Sequence, residues 1–166
     1  MNAVKLIGLG SNLDSAVFGA PRDNCEAAID RLSALGLSPL HRSGWYFSAP
    51  VPVSDQGWFV NGVLSIETGL GPRQALSVCQ KIELEMGRIR STDNGPRIID
   101  IDILAWDDEI LTETGLQLPH PRLSERAFVL FPLADIAPDW RHPSTGQTVM
   151  ALINGLEPGQ EIEKMD

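Results

Sequence analysis

Apolar and polar positions run along this chain with two periods, and the switches between them mark out the elements. Ala3 to Leu9 is a short apolar run that predicts a strand, ended by Gly8 and Gly10. Asp23 then opens a helix, with Glu26 three residues on as its capping-box partner. Cys25, Ala28, Ile29, Leu32 and Leu35 follow at helical spacing, and Gly36 stops the helix. Leu40 to Ala49 predicts a second strand, Pro50 to Gly57 a loop, and Trp58 to Glu67 a third strand. Pro72 starts a second helix at its favoured first position; Ala75, Cys79, Ile82 and Met86 form its apolar stripe, and Gly87 closes it. Arg88 to Gly95 is a polar loop and Ile98 to Trp106 a fourth strand. Beyond lie a turn at Pro119 and Pro121, a helix from Arg126 to Leu133 and a weakly patterned tail.

The order β-α-β-β-α-β with a C-terminal extension predicts an α+β fold. It is the ferredoxin-like, split-βαβ arrangement, an antiparallel sheet with helices packed on one face. A doubly wound α/β fold is disfavoured, because no helix separates the second and third strands. A length of 166 residues fits one domain spanning 1–166, large enough for a real core.

Composition narrows the function classes. The formal net charge of −9 argues against a general nucleic-acid binder or a polybasic membrane-surface protein. A small anionic ligand stays open if arginines or a metal gather locally. Cys25 and Cys79 both sit in helical apolar patterns and read as buried free thiols, which fits a reducing cytoplasm. No stretch reaches transmembrane length, and the opening MNAVKLIGLG lacks a secretory pattern.

The candidate chemistry sits in GPRIIDIDIL, residues 95–104. Alternate strand residues share a face, so Ile99, Ile101 and Ile103 point to the helix-covered core and Asp100 and Asp102 point away. The two Cα atoms are then roughly 6.5–7 Å apart. Carboxylates that close repel unless a positive group lies between them: an arginine, or a hard divalent cation. The bland alternative is an exposed face of a half-wet sheet. Arg97, Arg88 and Arg90 lie just before the pair, and His120, Arg122 and Arg126 follow it. Magnesium held by one or two carboxylates plus substrate phosphates, with arginines on the phosphates, points to a polyphosphate substrate. Taken singly, each arginine reads better as a surface ion pair worth little.

Two further stretches add to this. In the third strand Phe59 and Asn61 share a face, while Val60, Leu64 and Ile66 take the other. An aromatic beside an amide can stack on a flat ring and bond its edge. GLGSNL, residues 8–13, lacks both the Walker ending and the third glycine of a dinucleotide fingerprint, so it reads as a bare turn.

Taken in order, GLGSNL at 8–13, SAPVPVSDQGWFVN at 48–61, QKIELEMGRIR at 80–90, GPRIIDIDIL at 95–104 and PHPRLSERAFVLFPL at 119–133 resemble the 6-hydroxymethyl-7,8-dihydropterin pyrophosphokinase family. The resemblance covers nearly the whole chain and implies a ferredoxin-like fold. It implies transfer of pyrophosphate from ATP to the pterin's hydroxymethyl oxygen, with AMP leaving, in folate biosynthesis. Asp100 and Asp102 match aspartates that hold two magnesium ions against ATP. Arg88 and Arg97 match arginines on the transferring phosphates. Gln80, Glu83, Arg90, Ile103, His120 and Arg126 match positions on or near the nucleotide, and Arg122 is assigned beside them because Pro121 carries no side-chain donor. Phe59 and Phe128 match the aromatics that sandwich the pterin, Asn61 the amide on its edge, and Ser48 and Val51 backbone contacts to it. The partners expected are small molecules only, with no nucleic acid or membrane, and the chain is expected to be a cytoplasmic monomer.

This sequence departs from the family pattern at Ser91 to Asn94, where many members carry a basic residue and a tryptophan in a slightly longer loop. Three rivals stay open from the sequence. They are a non-catalytic relative that only binds, a metal-dependent phosphohydrolase or nuclease using the same aspartates, and a ferredoxin-like regulatory module.

Overall fold

The strand expected third lies between the first and the second, as a split βαβ unit requires. The computed structural model describes residues 2–87 and 97–165. Along the chain come β1 (Lys5–Ser11), α1 (Pro21–Ala34), β2 (Ser38–Arg42), β3 (Tyr46–Ser48), β4 (Phe59–Glu67), α2 (Pro72–Glu85) and β5 (Asp100–Trp106). They are followed by β6 (Leu111–Glu113), β7 (Leu116–Leu118), α3 (Ala127–Ile136), α4 (Val149–Asn154) and β8 (Ile162–Lys164). The main sheet runs β5-β1-β4-β3-β8 with β2 also on β4, and its paired strands are antiparallel. β6 and β7 form a separate hairpin.

Four expectations need correction. Helix α1 begins at Pro21, not at Asp23; Asp23 instead sits one turn inside and accepts the Ala20 N–H at 3.1 Å. Glu26 is not its capping partner but pairs with Arg42 and accepts the Trp45 indole N–H at 3.1 Å. The second strand is broken in two at Ser43–Trp45, because the Trp45 ring turns down against the bare backbone of Gly62 and into the core. The first strand does not end at Leu9 but continues to Ser11, with both glycines paired in the ladder.

A further correction concerns the layers. Helices cover both faces of the sheet, not one. Ile7, Leu9, Leu64, Ile101 and Ile103 pack with Cys25, Leu32, Cys79 and Ile82 of α1 and α2. On the opposite face Leu6, Val63, Leu104 and Ala105 are covered by Leu130 and Leu133 of α3 and by Val149 and Leu152 of α4. The physical reason is that these strands are apolar on both sides over part of their length, and each side must be buried. The tail supplies the second layer. Its α3 is apolar nearly all round, so it carries no helical periodicity to read.

The β1–β5 ladder contains one irregularity. Leu6 pairs Ala105 and Ile7 pairs Ile103, so Leu104 is an extra residue in β5. At such a bulge alternation slips by one. Leu104 and Ala105 therefore both face the second layer, and Trp106 returns to the first. Both cysteines are free and buried, as expected. Burial pushes each thiol up to about 12.

Candidate functional site

The site begins where the second layer stops short of the sheet's end. There Asp102 lies opposite Gly8 and Asp100 opposite Gly10. A side chain at either glycine would intrude on this face. A Cβ on Gly8 would stand 3.2 Å from Leu104 Cδ1, and one on Gly10 would stand 3.3 Å from Asn61 Oδ1. GLG is therefore not a turn. It is a strand whose glycines keep the floor low beside two carboxylates, a recognised use of glycine where something must approach the backbone. Glu83 of α2, buried beneath, accepts the Ile101 N–H at 2.9 Å and pins the strand between the two aspartates.

Above this floor is a cavity of about 160 Å³. One wall is Phe59 and Asn61 of β4 with Ser48 and Val51; the other is Arg126 and Phe128 at the start of α3; Arg97, Asp100 and Asp102 close the end. Asn61 is 3% exposed and donates from Nδ2 to Ser48 Oγ at 2.6 Å, so its amide is held in one orientation. The Arg126 guanidinium lies over the Phe128 ring, 5.3 Å from its centroid. Burial lowers Arg126 from the usual guanidinium range, against the pull of Asp102, but it remains a cation.

A second cavity of about 290 Å³ lies on the other side of Asp102. Its lining includes Ile101, Ile103, His120, Leu76 of α2 and Gly115 to Gln117 at the β6–β7 hairpin. Asp102 borders both cavities. His120 is fixed by two backbone contacts: its N–H donates to the Leu104 carbonyl at 2.8 Å, and its Nδ1 accepts the Arg122 N–H at 3.1 Å. Burial, then the Arg126 charge, holds it down to about 4. The ring is thus neutral at pH 7, with its proton on Nε2.

Of the residues singled out in the sequence, Ser48, Val51, Phe59, Asn61, Arg97, Asp100, Asp102, Arg126 and Phe128 line the first cavity, and Asp102, Ile103 and His120 line the second. Gln80 is exposed one turn from Leu76. Arg122 is exposed and its Nε lies 3.5 Å from a Glu125 carboxylate oxygen. Arg88, Arg90 and the departure at 91–94 lie outside the described residues.

The sequence reading missed the roles of Gly8, Gly10 and Asn12. Asn12 joins three segments: its Nδ2 donates to Gln56 Oε1 at 2.8 Å and Gly57 O at 3.0 Å, and its Oδ1 accepts the Arg97 N–H at 2.7 Å. The signal for the glycines was available in their period of two, which matches that of the Asp pair. Nothing local marked Asn12, whose partners are 44 to 85 residues away.

Comparison with known proteins gives the family. Residues 6–138 match the family described as 7,8-dihydro-6-hydroxymethylpterin-pyrophosphokinase (HPPK). A 2-amino-4-hydroxy-6-hydroxymethyldihydropteridine pyrophosphokinase of Pseudomonas aeruginosa is 43% identical over 165 residues, which cover 96% of this chain and 94% of that one. One of Methylorubrum extorquens is 42% identical over 162 residues, 96% of this chain and 97% of that one. Among solved structures, a Plasmodium falciparum HPPK-DHPS chain shares the fold with a TM-score of 0.66 at 17% identity. The match covers 93% of this chain and 43% of that longer one. The chain therefore belongs to the 7,8-dihydro-6-hydroxymethylpterin-pyrophosphokinase family, and transfers pyrophosphate from ATP to 6-hydroxymethyl-7,8-dihydropterin in folate synthesis.

Proposed function

We propose that the first cavity takes the pterin, the second takes the nucleotide, and Asp100 and Asp102 hold two magnesium ions where the two substrates meet. The observation that carries this reading is the position of Asp102 on the border of both cavities. The donor set fits the metal. Two hard carboxylates on an open face suit magnesium, which takes one or two carboxylates and completes its shell with substrate phosphates and water. When bound, the ions neutralise phosphate charge and steady the attacking and leaving oxygens.

The chain's own residues do the rest. Phe59 and Phe128 stack on the two faces of the pterin, and the Ser48-oriented amide of Asn61 bonds its edge, with Val51 beside it. This places the hydroxymethyl oxygen toward Asp100, Asp102 and Arg97. Arg97, with Arg88, neutralises the transferring phosphates. Arg126, on the wall of the first cavity, meets the nucleotide's phosphates where the two substrates join, and the neutral His120, whose Nε2–H is a donor, grips the nucleotide in the second. Ile103 lines that cavity, Gln80, Arg90 and Arg122 are assigned to the nucleotide by family resemblance alone, and Glu83 acts through the strand it pins. The hydroxyl oxygen attacks the β-phosphorus in line and its proton passes to solvent, the bond from that phosphorus to the oxygen bridging it to the α-phosphate breaks, and AMP departs with that oxygen.

The test is incubation with 6-hydroxymethyl-7,8-dihydropterin, ATP and magnesium, followed by separation of nucleotides. AMP formed only when pterin is present, and lost in Asp102→Asn, supports the assignment. ADP as the product, or AMP formed equally by Asp102→Asn, overturns it.

A further inference from the structure

We propose that Gln160 is a positioning residue for the pterin clamp: it fixes the backbone on both sides of Arg126 and so sets Phe128 against the wall that carries Ser48. This rests on the assignment of Phe128 and Ser48 to the pterin. Gln160 lies beyond residues 6–138 that match the family, and it lines neither cavity described above.

The start of α3 has an unusual need. A helix begins with orphan N–H groups, which a Ser, Thr, Asp or Asn at the N-cap normally satisfies. Here the N-cap is Arg126, which has no acceptor and makes no side-chain cap. The cap is supplied from 33 residues further on: Gln160 Oε1 accepts the Ala127 N–H at 2.9 Å. The same amide donates from Nε2 to the Glu125 carbonyl at 2.8 Å. One side chain thus holds the peptide units before and after Arg126, which leaves the guanidinium free to reach into the cavity over Phe128.

The next two residues reach the opposite wall. The Glu161 carbonyl accepts the Ala49 N–H at 3.1 Å, and Ile162 pairs Ser48 in the β3–β8 ladder. Within three residues the tail therefore grips both walls of the pterin cavity, and Gln160 sets the spacing between them.

The test uses the full chain and compares Gln160→Met, which keeps the volume without the hydrogen bonds, Gln160→Glu, which keeps only the acceptor, and Phe128→Ala. Binding of the pterin, and separately of a magnesium-bound non-hydrolysable ATP analogue, is measured at 25 °C. Circular dichroism confirms each fold. Two lost hydrogen bonds predict pterin affinity weaker by about tenfold in Gln160→Met, with Gln160→Glu between it and the parent. The double variant Gln160→Met/Phe128→Ala should bind no worse than Phe128→Ala alone, because the first residue acts through the second. A lower melting temperature with unchanged pterin affinity in Gln160→Met, or additive losses in the double variant, overturns the inference. If Phe128→Ala itself leaves pterin binding intact, the clamp assignment fails and takes this inference with it.

Discussion

Asn12 and Arg97 hold each other twice: Asn12 Oδ1 accepts the Arg97 N–H at 2.7 Å, and the Arg97 carbonyl accepts the Asn12 N–H at 2.9 Å. The same side chain reaches Gln56 and Gly57, so the chain that enters β5 and the loop beside the first cavity share one joint. Asn12→Ala removes three side-chain hydrogen bonds and should lower stability by about 1–3 kcal/mol. It should lower kcat by at least tenfold, since small misplacements of the arginine that shares the cavity with Asp100 and Asp102 are costly. Asn12→Asp keeps the acceptor for Arg97 and loses the donor to both Gln56 and Gly57, so it should recover the part of the kcat that depends on Arg97. Steady-state kinetics on the two variants measures both effects, and equal kcat in the parent and Asn12→Ala would remove the joint from the mechanism.

Asp100→Ala and Asp102→Ala should each abolish turnover and leave the fold intact, because both side chains face the cavity rather than either apolar layer. The parent should gain thermal stability from ATP only when magnesium is present, as ligand that binds the native state alone must provide. Both variants should lose that gain. Near-normal rates in either variant would sink the metal assignment.

Gly10→Ala tests the floor of the site. The new methyl would lie 3.3 Å from Asn61 Oδ1 and 3.8 Å from Phe59 Cδ1. Asn61 cannot yield freely, because Ser48 holds its amide. The expected result is a pterin KM raised by roughly tenfold, a cost of about 1.4 kcal/mol, with the ATP KM within twofold of the parent. Titration of each substrate at saturating concentrations of the other measures this, and an unchanged pterin KM would refute it.

His120 gives the stability of the fold a direction with pH. The unfolded residue takes up a proton as pH falls through about 6.5, whereas burial and the Arg126 charge hold the folded one down to about 4. Acid therefore favours the unfolded chain over that window, and the stability that His120 contributes above pH 6.5 is lost between 6.5 and 4. Denaturant melts of His120→Gln should show a shallower fall across this range than the parent. Burial lowers His142 as well, so some slope should persist in that variant. An identical slope in parent and variant would show that His120 titrates alike in both states.

Much of this was legible in the sequence, for reasons that differ by element. The alternation in IIDIDI separated the Asp pair from the isoleucines, because β5 is regular from Asp100 to Ile103. Phe59 and Asn61 were placed on one face by the same logic. The second layer was not legible, because α3 is too uniformly apolar for a period to show. The hairpin β6–β7 and the edge strand β8 are three residues long per strand, too short for any pattern to stand out. Gly8 and Gly10 were misread because glycine usually punctuates a strand, and only the register across from Asp102 and Asp100 shows why these two do not.

The bulge at Leu104 has a meaning beyond geometry. Without that residue β5 would be a regular strand: Ala105 would still meet Leu6, and Trp106 would still meet Lys5. The Leu104 side chain fills the second layer at 1% exposure, and its backbone has a separate use. What it provides is a peg, a carbonyl that the His120 backbone takes up at 2.8 Å. The segment carrying Arg122 and Arg126 hangs from the scaffold at that point. Shortening the strand by this one residue would leave the carboxylates standing and the sheet closed, but would empty part of the second layer and unmoor the wall that carries His120.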